Sequence, residues 1–422
     1  MIKSIGIDFG TTNSVVALLH ADGRVTTARH SSGNTLVEMF RSVLCFWAEE
    51  GRGRQILHHA AGPEAITAYL DEPLDSRLIM SMKTFLAQKS FTETRIFGRP
   101  FTLERLVGRF LAALLAQVEA PPRVVVGRPV RFAGEFADDG LGAARLRGAC
   151  AEAGLPEVTL ALEPEAAGAQ FAYGLTEPAT VLIGDFGGGT SDFSVLRFEP
   201  GGDGGVTPLG HAGIGIAGDV FDYRIIDRVI APLLGKGDSY TTIMGKHLPV
   251  PAEYYSGFAR WHLLSLMRTP RTLRSIAEVM RTAEHPQRLR HLITLIEDGL
   301  GYALYQAVSA AKAALSIAES TELRFGHGDF VVERTVTRAE FETWIAGDLK
   351  RLGATVDQAL ASAGVPHAAI DRVFLTGGTA FVPAVRRLFA SRFCDAIISG
   401  GGEFVSVAEG LARMGAGEPI PL

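Results

Sequence analysis

Two stretches of the chain share one pattern of apolar and polar positions. Residues 5–18 read IGIDFGTTNSVVAL and residues 181–196 read VLIGDFGGGTSDFSVL. In each, an apolar run ends in an aspartate, Asp8 or Asp185. Phenylalanine, glycine and threonine follow, and then a second β-branched or alternating run. The pattern predicts strand, tight glycine-rich turn, strand. Glycines let a backbone turn sharply and bring its N–H groups close to a ligand. Successive N–H groups in such a turn form a concavity that suits phosphate. A lone hairpin of this kind is more often only a turn. Here the two aspartates stand 177 residues apart. Such an internal repeat predicts two similar lobes, each presenting a phosphate-facing hairpin to a shared cleft.

The rest of the pattern mixes helices and short strands. Residues 43–46 read as a strand, and residues 63–69 and 77–86 as helices, the second carrying Lys83. A lysine there is usually a solvated surface residue unless its segment leans over the phosphates. Thr102 with Glu104 opens a helix to Val118, which Pro121 and Pro122 end. Residues 124–126 form a buried strand before Gly127 and Pro129, and residues 143–153 a helix closed by Gly154. Glu163 precedes Pro164 at a helix start, where an acid is compatible with a simple cap. Residues 199–208 read as a glycine-rich turn between strands. Residues 213–218, GIGIAG, match the dinucleotide fingerprint only formally, with no clean apolar strand before them and no βαβ unit around them. Residues 221–234 are helical. Residues 249–290 hold arginine-rich helices broken by Pro270 and Pro286, with Trp261, Leu263, Leu264 and Leu266 on apolar faces: a solvated subdomain or a partner surface. Long helices follow at 299–320 and 337–363, the latter with Thr337 as cap and Glu340 in the box position. A strand at 373–375 runs into Gly377, Gly378 and Thr379, and a helix begins at Pro383, so a helix N-terminus could meet a ligand there. A last helix spans 405–414.

Composition narrows the classes. At 422 residues the chain exceeds one ordinary core,. With 47% hydrophobic and 21% charged residues it is ordinary globular material,. A net charge of −5 offers no global basic field for nucleic acid,. Cys45, Cys150 and Cys394 are far apart and form no CxxC, so neither a disulfide framework nor a zinc ribbon is expected,. The first strand starts at once, without a signal peptide, and no apolar run could span a membrane. The expectation is a soluble, cytoplasmic protein. No GxxxxGK[ST] is present, and neither HRD nor VAIK accompanies the Asp-Phe-Gly triplets, which excludes P-loop proteins and protein kinases,. Asp185, at a strand end, is placed to hold a hydrated Mg²⁺.

The ordered motifs GIDFGTTNS, VVVGRPV, LEPEAAGAQFAYG, DFGGGTSD and FLTGGTAFVP resemble the nucleotide-binding domain of the seventy-kilodalton heat-shock (DnaK-type) chaperones, in the actin-like ATPase superfold. The resemblance covers nearly the whole chain. WHLLSLMRTPRTLR, residues 261–274, is similar to the YegD-like subgroup. The implied fold is α/β: two lobes, each built on a duplicated sheet with flanking helices, and a nucleotide cleft between them. Residues 1–180 would form lobe I, with a small insertion at about 37–114, and residues 181–395 lobe II, with a mostly helical insertion at about 223–298. Residues 396–422 would pack back on lobe I.

The resemblance also implies roles. Asp8 and Asp185 would orient Mg²⁺ through its waters, with Asp192 and Thr190 near the metal and the attacking water. Gly10, Thr11, Thr12, Asn13, Gly187, Gly188 and Gly189 would cradle the phosphates. Lys83 matches the catalytic lysine and Glu163 the acid of the family's NEPT-like motif. Gly218, Asp219, Lys312, Ser316, Gly377, Gly378, Thr379 and Phe381 fall at other nucleotide-binding positions. Ser309, Ala313 and Phe381 stand where the family holds adenine with Glu, Arg and Arg, and Glu165 replaces the NEPT threonine. No hydrophobic linker and no β-sandwich peptide-binding domain are expected after the last helix. The implied function is ATP/ADP binding with Mg²⁺, slow hydrolysis and nucleotide-driven lobe closure. Beyond the nucleotide, an unknown protein partner fits, but no nucleic acid and no membrane. A small-molecule phosphotransferase of the same superfold, or a non-hydrolysing nucleotide-binding module, remains the alternative.

Overall fold

In a computed structural model of the protein, β1 (Ile2–Phe9) and β2 (Asn13–His20) form the first hairpin, with Phe9 opposite Ser14 and residues 10–12 between the strands. The structure describes residues 1–32, 35–51, 54–72, 75–118, 123–133, 136–173, 176–199, 206–259, 264, 267–393, 397–399 and 406–417. Cys394, Pro121, Pro122, Trp261, Leu263, Leu266, Val405 and most of the turn expected at 199–208 lie outside the described residues. The chain divides into two compact units. One comprises Met1–Gly215, Leu352–Ala380 and Arg387–Leu422; the other comprises Ile216–Arg351 and Phe381–Arg386.

The first unit holds two sheets of one topology. β1, β2, β3 (Val25–Thr27), β4 (Val124–Arg128) and β5 (Thr159–Leu162) lie in the order β5-β4-β1-β2-β3, and residues 40–41 pair with β2. β6 (Ala179–Phe186), β7 (Ser191–Phe198), β8 (Val206–Ile214), β9 (Arg372–Thr376) and β10 (Ile397–Ser399) lie in the order β10-β9-β6-β7-β8. In both sheets the first three strands are parallel and the next two antiparallel. The second hairpin repeats the first in register, with Phe186 opposite Ser191 and residues 187–190 in the turn.

Helices cover the first sheet on both faces, as parallel strands require. Ile5, Ile7, Val16 and Val126 pack with α2 (Leu103–Leu114) and α3 (Asp139–Glu152), below α1 (Gly62–Asp71) in sequence. Thr102 and Asp138 cap α2 and α3 by accepting from backbone N–H groups three residues on,. The opposite face, with Val15, Ala17, Leu19 and Val125, meets α4 (Glu163–Tyr173) and the C-terminal helix. In the second unit, α5 (Gly218–Ile225) continues through a π turn and a 3₁₀ turn to Leu234. α6 (Pro270–Met280), α7 (Pro286–Glu297) and α8 (Gly301–Leu315) follow, then a hairpin of Ser320–His327 and Phe330–Thr337. α9 (Arg338–Ala363) returns the chain to the first unit. At its head Thr337 N–H donates to Glu340 and Glu340 N–H to Thr337 Oγ1, the expected capping box,. α10 (Pro383–Arg392) carries Phe389 against Phe186 and Phe193. α11 (Ser406–Ala416) is the C-terminal helix. It lies close on β1 because Gly6 has no side chain: a Cβ there would stand 2.1 Å from the Ala408 carbonyl oxygen.

Three sequence expectations need correction. The helix at 77–86 is a strand, Ser76–Met80, paired with Val43–Gly51, followed by a single 3₁₀ turn, Met82–Phe85. Long-range pairing overrides local helical spacing there. Pro270 and Pro286 start α6 and α7 rather than break them, because the first helical N–H needs no partner,. A strand, β8, does precede GIGIAG, but it is antiparallel to β7, so no βαβ unit exists. The hairpin at 320–337 has no counterpart in the sequence reading, although Leu323 and Phe325 alternate with exposed residues and Gly328 marks its turn. Among the described residues, no helix is long and apolar enough to cross a membrane.

Candidate functional site

The shared register sets Asp8 and Asp185 at equivalent points, each the last but one residue of its strand. Asp8 lies opposite Val15, whereas Asp185 lies opposite Asp192, so the second hairpin carries an acid pair. Gly187 N–H closes that turn onto the Thr190 carbonyl at 2.9 Å, and Thr190 Oγ1 donates to Asp192 Oδ2 at 3.2 Å. The two turns touch: a Cβ on Gly188 would stand 2.0 Å from Thr12 Oγ1. Gly10 is equally confined, its missing Cβ falling 2.1 Å from the Asn13 carbonyl oxygen. Asn13 Oδ1 accepts from Arg41, and the Thr12 carbonyl from Ser42 N–H.

Lys83 reaches this place from the 3₁₀ turn after Ser81, whose φ of 55° is in the left-handed region. Such a non-glycine conformation costs of order 1–2 kcal/mol and persists where its surroundings fix it. Lys83 Nζ donates to Glu163 Oε1 at 2.6 Å, the two side chains being 13% and 8% exposed. Glu163 heads α4 with its carboxylate on Lys83, so it is not the simple cap that Pro164 allowed. Gly127 leaves room for it, since a Cβ there would be 2.9 Å from Glu163 Cγ.

The electrostatics are lopsided. Burial, with the charge of Glu163, pushes Asp8 from 3.8 up to about 7, against the pull of Lys83. Burial and then Glu163, Asp8 and Asp192 hold Asp185 well above its ordinary value. Asp192 is pushed up to about 6 by burial, opposed by the Thr190 hydroxyl and Lys83. Burial disfavours the Lys83 ammonium, but Glu163 and Asp8 outweigh it and its pKa is raised. Four acids thus act on one ammonium in a buried place, and the set lacks positive charge. Its donors are carboxylate oxygens, the chemistry of a hard divalent cation such as Mg²⁺ rather than of a thiophilic metal.

A cavity beside this cluster is bordered by Glu163, Asp185, Asp192, Ser194, His211 and Thr376. His211 and Ser194 carry no signal in the sequence. His211 Nε2 lies 3.8 Å from Asp192 Oδ1, and its Nδ1 lies 3.3 Å from Ser194 Oγ. Burial, and after it Arg131, lowers the His211 pKa. Glu165 is half-buried; burial raises its pKa, and a hydrogen bond from the Leu162 backbone and then the charge of Arg128 partly offset this. The third glycine turn stands at the end of β9, next to β6. Thr376 pairs with Asp185, and Gly377, with φ of 86°, would put a Cβ 2.0 Å from the Phe186 carbonyl oxygen. Thr379 is buried.

The remaining expected residues lie in the second unit. Gly218 and Asp219 start α5. Lys312 Nζ donates to the Gly218 carbonyl at 3.0 Å and to buried Asp222 at 2.8 Å, tying α8 to α5. Ser316 caps the end of α8. Phe381 is 36% exposed, with the Arg386 guanidinium 5.8 Å from its ring centre, so it is not core filling.

Comparison with known proteins decides the family. The model of the family described as Hsp70 protein matches residues 80–236 and 297–412, well over half of the chain. The chain belongs to the Hsp70 family. Its fold is therefore the α/β actin-like ATPase fold, in keeping with the repeated sheets. The chaperone protein DnaK of Thermus thermophilus is similar at 27% identity over 407 residues, 92% of this chain and 56% of that protein. The DnaK of Deinococcus proteolyticus is 26% identical over 407 residues, 92% of this chain and 55% of that protein. This Hsp70-family chain spans just over half the length of these relatives.

Proposed function

We propose that this Hsp70-family chain binds ATP together with Mg²⁺, hydrolyses it slowly, and closes its lobes on the nucleotide, as a chaperone-type ATPase. The observation that carries the reading is the buried Lys83–Glu163 pair among Asp8, Asp185 and Asp192. Phosphoryl transfer needs positioned charge more than covalent help, and this set supplies it. Lys83 would lay its ammonium against a terminal phosphate, with Glu163 holding Nζ in place and charged. The N–H groups of residues 10–13 and 187–190 would donate to phosphate oxygens. Asp192, steadied by Thr190, would accept from the attacking water and orient it. Asp8 and Asp185 would hold a Mg²⁺, which would supply positive charge to offset the phosphates.

Residues 1–180 and 181–395 act as the lobes in this reading, with 396–422 tied to the first. Gly218, Asp219, Lys312, Ser316, Gly377, Gly378, Thr379 and Phe381 serve the nucleoside side. The segment 261–274 supports a place in the YegD-like subgroup. A cytoplasmic location and an unidentified protein partner belong to the same reading. Single-turnover hydrolysis of ATP tests it. Lys83→Ala and Glu163→Gln should each slow it about a hundredfold or more, the scale for one preorganised electrostatic group. A wild type with no turnover above background would leave a nucleotide sensor, with no catalytic role for either residue.

A further inference from the structure

We propose that a second pocket of the first unit, apart from the aspartate cluster, binds a small ligand carrying an aromatic ring and a phosphate. The pocket is a cavity of about 300 Å³, bordered by Phe46, His59, Arg99, Phe101, Arg105 and Arg109. Its walls come from the strands Val43–Gly51 and Arg54–Ala61, the ribbon Thr94–Ile96 and Arg99–Phe101, and the first turns of α2. The volume is at the small end of ligand pockets.

Charge is the first reason. Three guanidiniums border the cavity, and each is satisfied only by a neutral partner. Arg99 Nη2 donates to the Gln55 carbonyl at 2.7 Å and Arg105 Nη1 to the Pro100 carbonyl at 3.3 Å. Arg109 Nη1 lies 3.3 Å from His59 Nδ1. Among the described residues, no carboxylate pairs with any of the three. Other arginines of the chain do find acids: Arg145 takes Glu104, beside Arg105 on α2, and Arg224 takes Asp348 with two bonds. In a chain of net charge −5, three unmatched cations around one cavity favour an anion. Guanidiniums suit phosphate in particular, because their planar fork donates to two of its oxygens at once.

The floor gives the second reason. Phe46 and Phe101 are buried, 5.2 Å apart, and His59 stacks on Phe46 at 5.7 Å with 23° between the planes. Arg105 and Arg109 lie over the Phe101 ring at 5.1 and 5.6 Å. The slot is thus bounded by flat groups, the imidazole and two guanidiniums, on an apolar base. Flat cationic and aromatic walls favour a ring, and the unmatched charge favours the phosphate on it.

Isothermal titration with phenyl phosphate, inorganic phosphate and phenol tests the proposal. Phenyl phosphate should bind, inorganic phosphate at least about tenfold more weakly, and phenol not measurably. The double variant Arg105→Gln and Arg109→Gln, which keeps the apolar stems, should weaken phenyl phosphate at least about tenfold, with unchanged melting temperature and ATP turnover. Lys83→Ala should keep full affinity for phenyl phosphate, which separates this pocket from the aspartate cluster. Absence of binding at millimolar phenyl phosphate would overturn the proposal, as would equal affinity in wild type and the double variant. Equal affinity for phenyl phosphate and inorganic phosphate would overturn it too.

Discussion

Glu163 Oε1 accepts a hydrogen bond from Lys83 Nζ at 2.6 Å, although the two residues stand 80 positions apart in the chain. Each end of the contact has its own local device. Ser81 takes a left-handed φ so that the turn carrying Lys83 can leave its strand, and Gly127 lacks the side chain that would fill the place of Glu163. A contact built from both sides in this way is a positioned pair rather than a surface ion pair, which would contribute little.

Gly127→Ala should therefore act through Glu163. The added methyl would come within 2.9 Å of Glu163 Cγ and 3.1 Å of Leu411 Cδ1. Overpacking of this kind costs about 1–3 kcal/mol, so the melting temperature should drop by several degrees and ATP turnover should fall with it. Turnover equal to wild type would show that the position of Glu163 does not matter.

The acid cluster makes stability depend on pH in an uncommon direction. The folded chain holds protons on Asp8 up to about 7 and on Asp192 up to about 6, whereas an unfolded aspartate loses its proton near 3.8. Between those values the native state binds more protons, so stability falls as pH rises. This contribution is complete below about pH 4 and gone above about pH 7. Metal-free protein should melt several degrees lower at pH 8 than at pH 5.5, and millimolar Mg²⁺ should raise the melting temperature more at pH 8. Calorimetry with and without EDTA checks this; a metal-free melting temperature that rises from pH 5.5 to pH 8 would contradict it.

Base recognition should be loose. Ala313 offers no guanidinium plane, and Phe381 offers one half-exposed ring, with Arg386 beside it. A single cation–π or stacking contact is worth about 0.5–2 kcal/mol, a factor of roughly 2–30 in affinity. ATP and GTP should bind with similar affinity, and Phe381→Ala should weaken ATP within that range. A strong preference for ATP in wild type, or no loss in Phe381→Ala, would count against a role for Phe381 at the base.

Some of this was legible in the sequence, for physical reasons. The hairpins of Asp8 and Asp185 are local: apolar run, glycine turn, apolar run, with the repeat visible by eye. The capping box of Thr337 and Glu340 spans four residues and is equally plain. The strand Ser76–Met80 was misread because its partner, Val43–Gly51, lies more than twenty residues upstream. The contact of Lys83 with Glu163 depends on that same fold, so the pattern alone left both residues with bland readings; only the family resemblance singled them out. His211, on β8, meets Asp192 and Ser194 on the neighbouring β7, and neither His211 nor Ser194 carries a motif. The arginines of the second pocket come from a ribbon and a helix, and nothing in their spacing joins them to Phe46 and His59.

The central claim is that the two hairpins hold one Mg²⁺–nucleotide site, and isothermal titration of ATP in the presence of Mg²⁺ tests it most directly. Wild type should bind with an affinity that falls when EDTA replaces Mg²⁺. Asp8→Asn and Asp185→Asn should each lose most of this metal-dependent part while folding normally by circular dichroism. Unchanged isotherms for both variants would contradict the account.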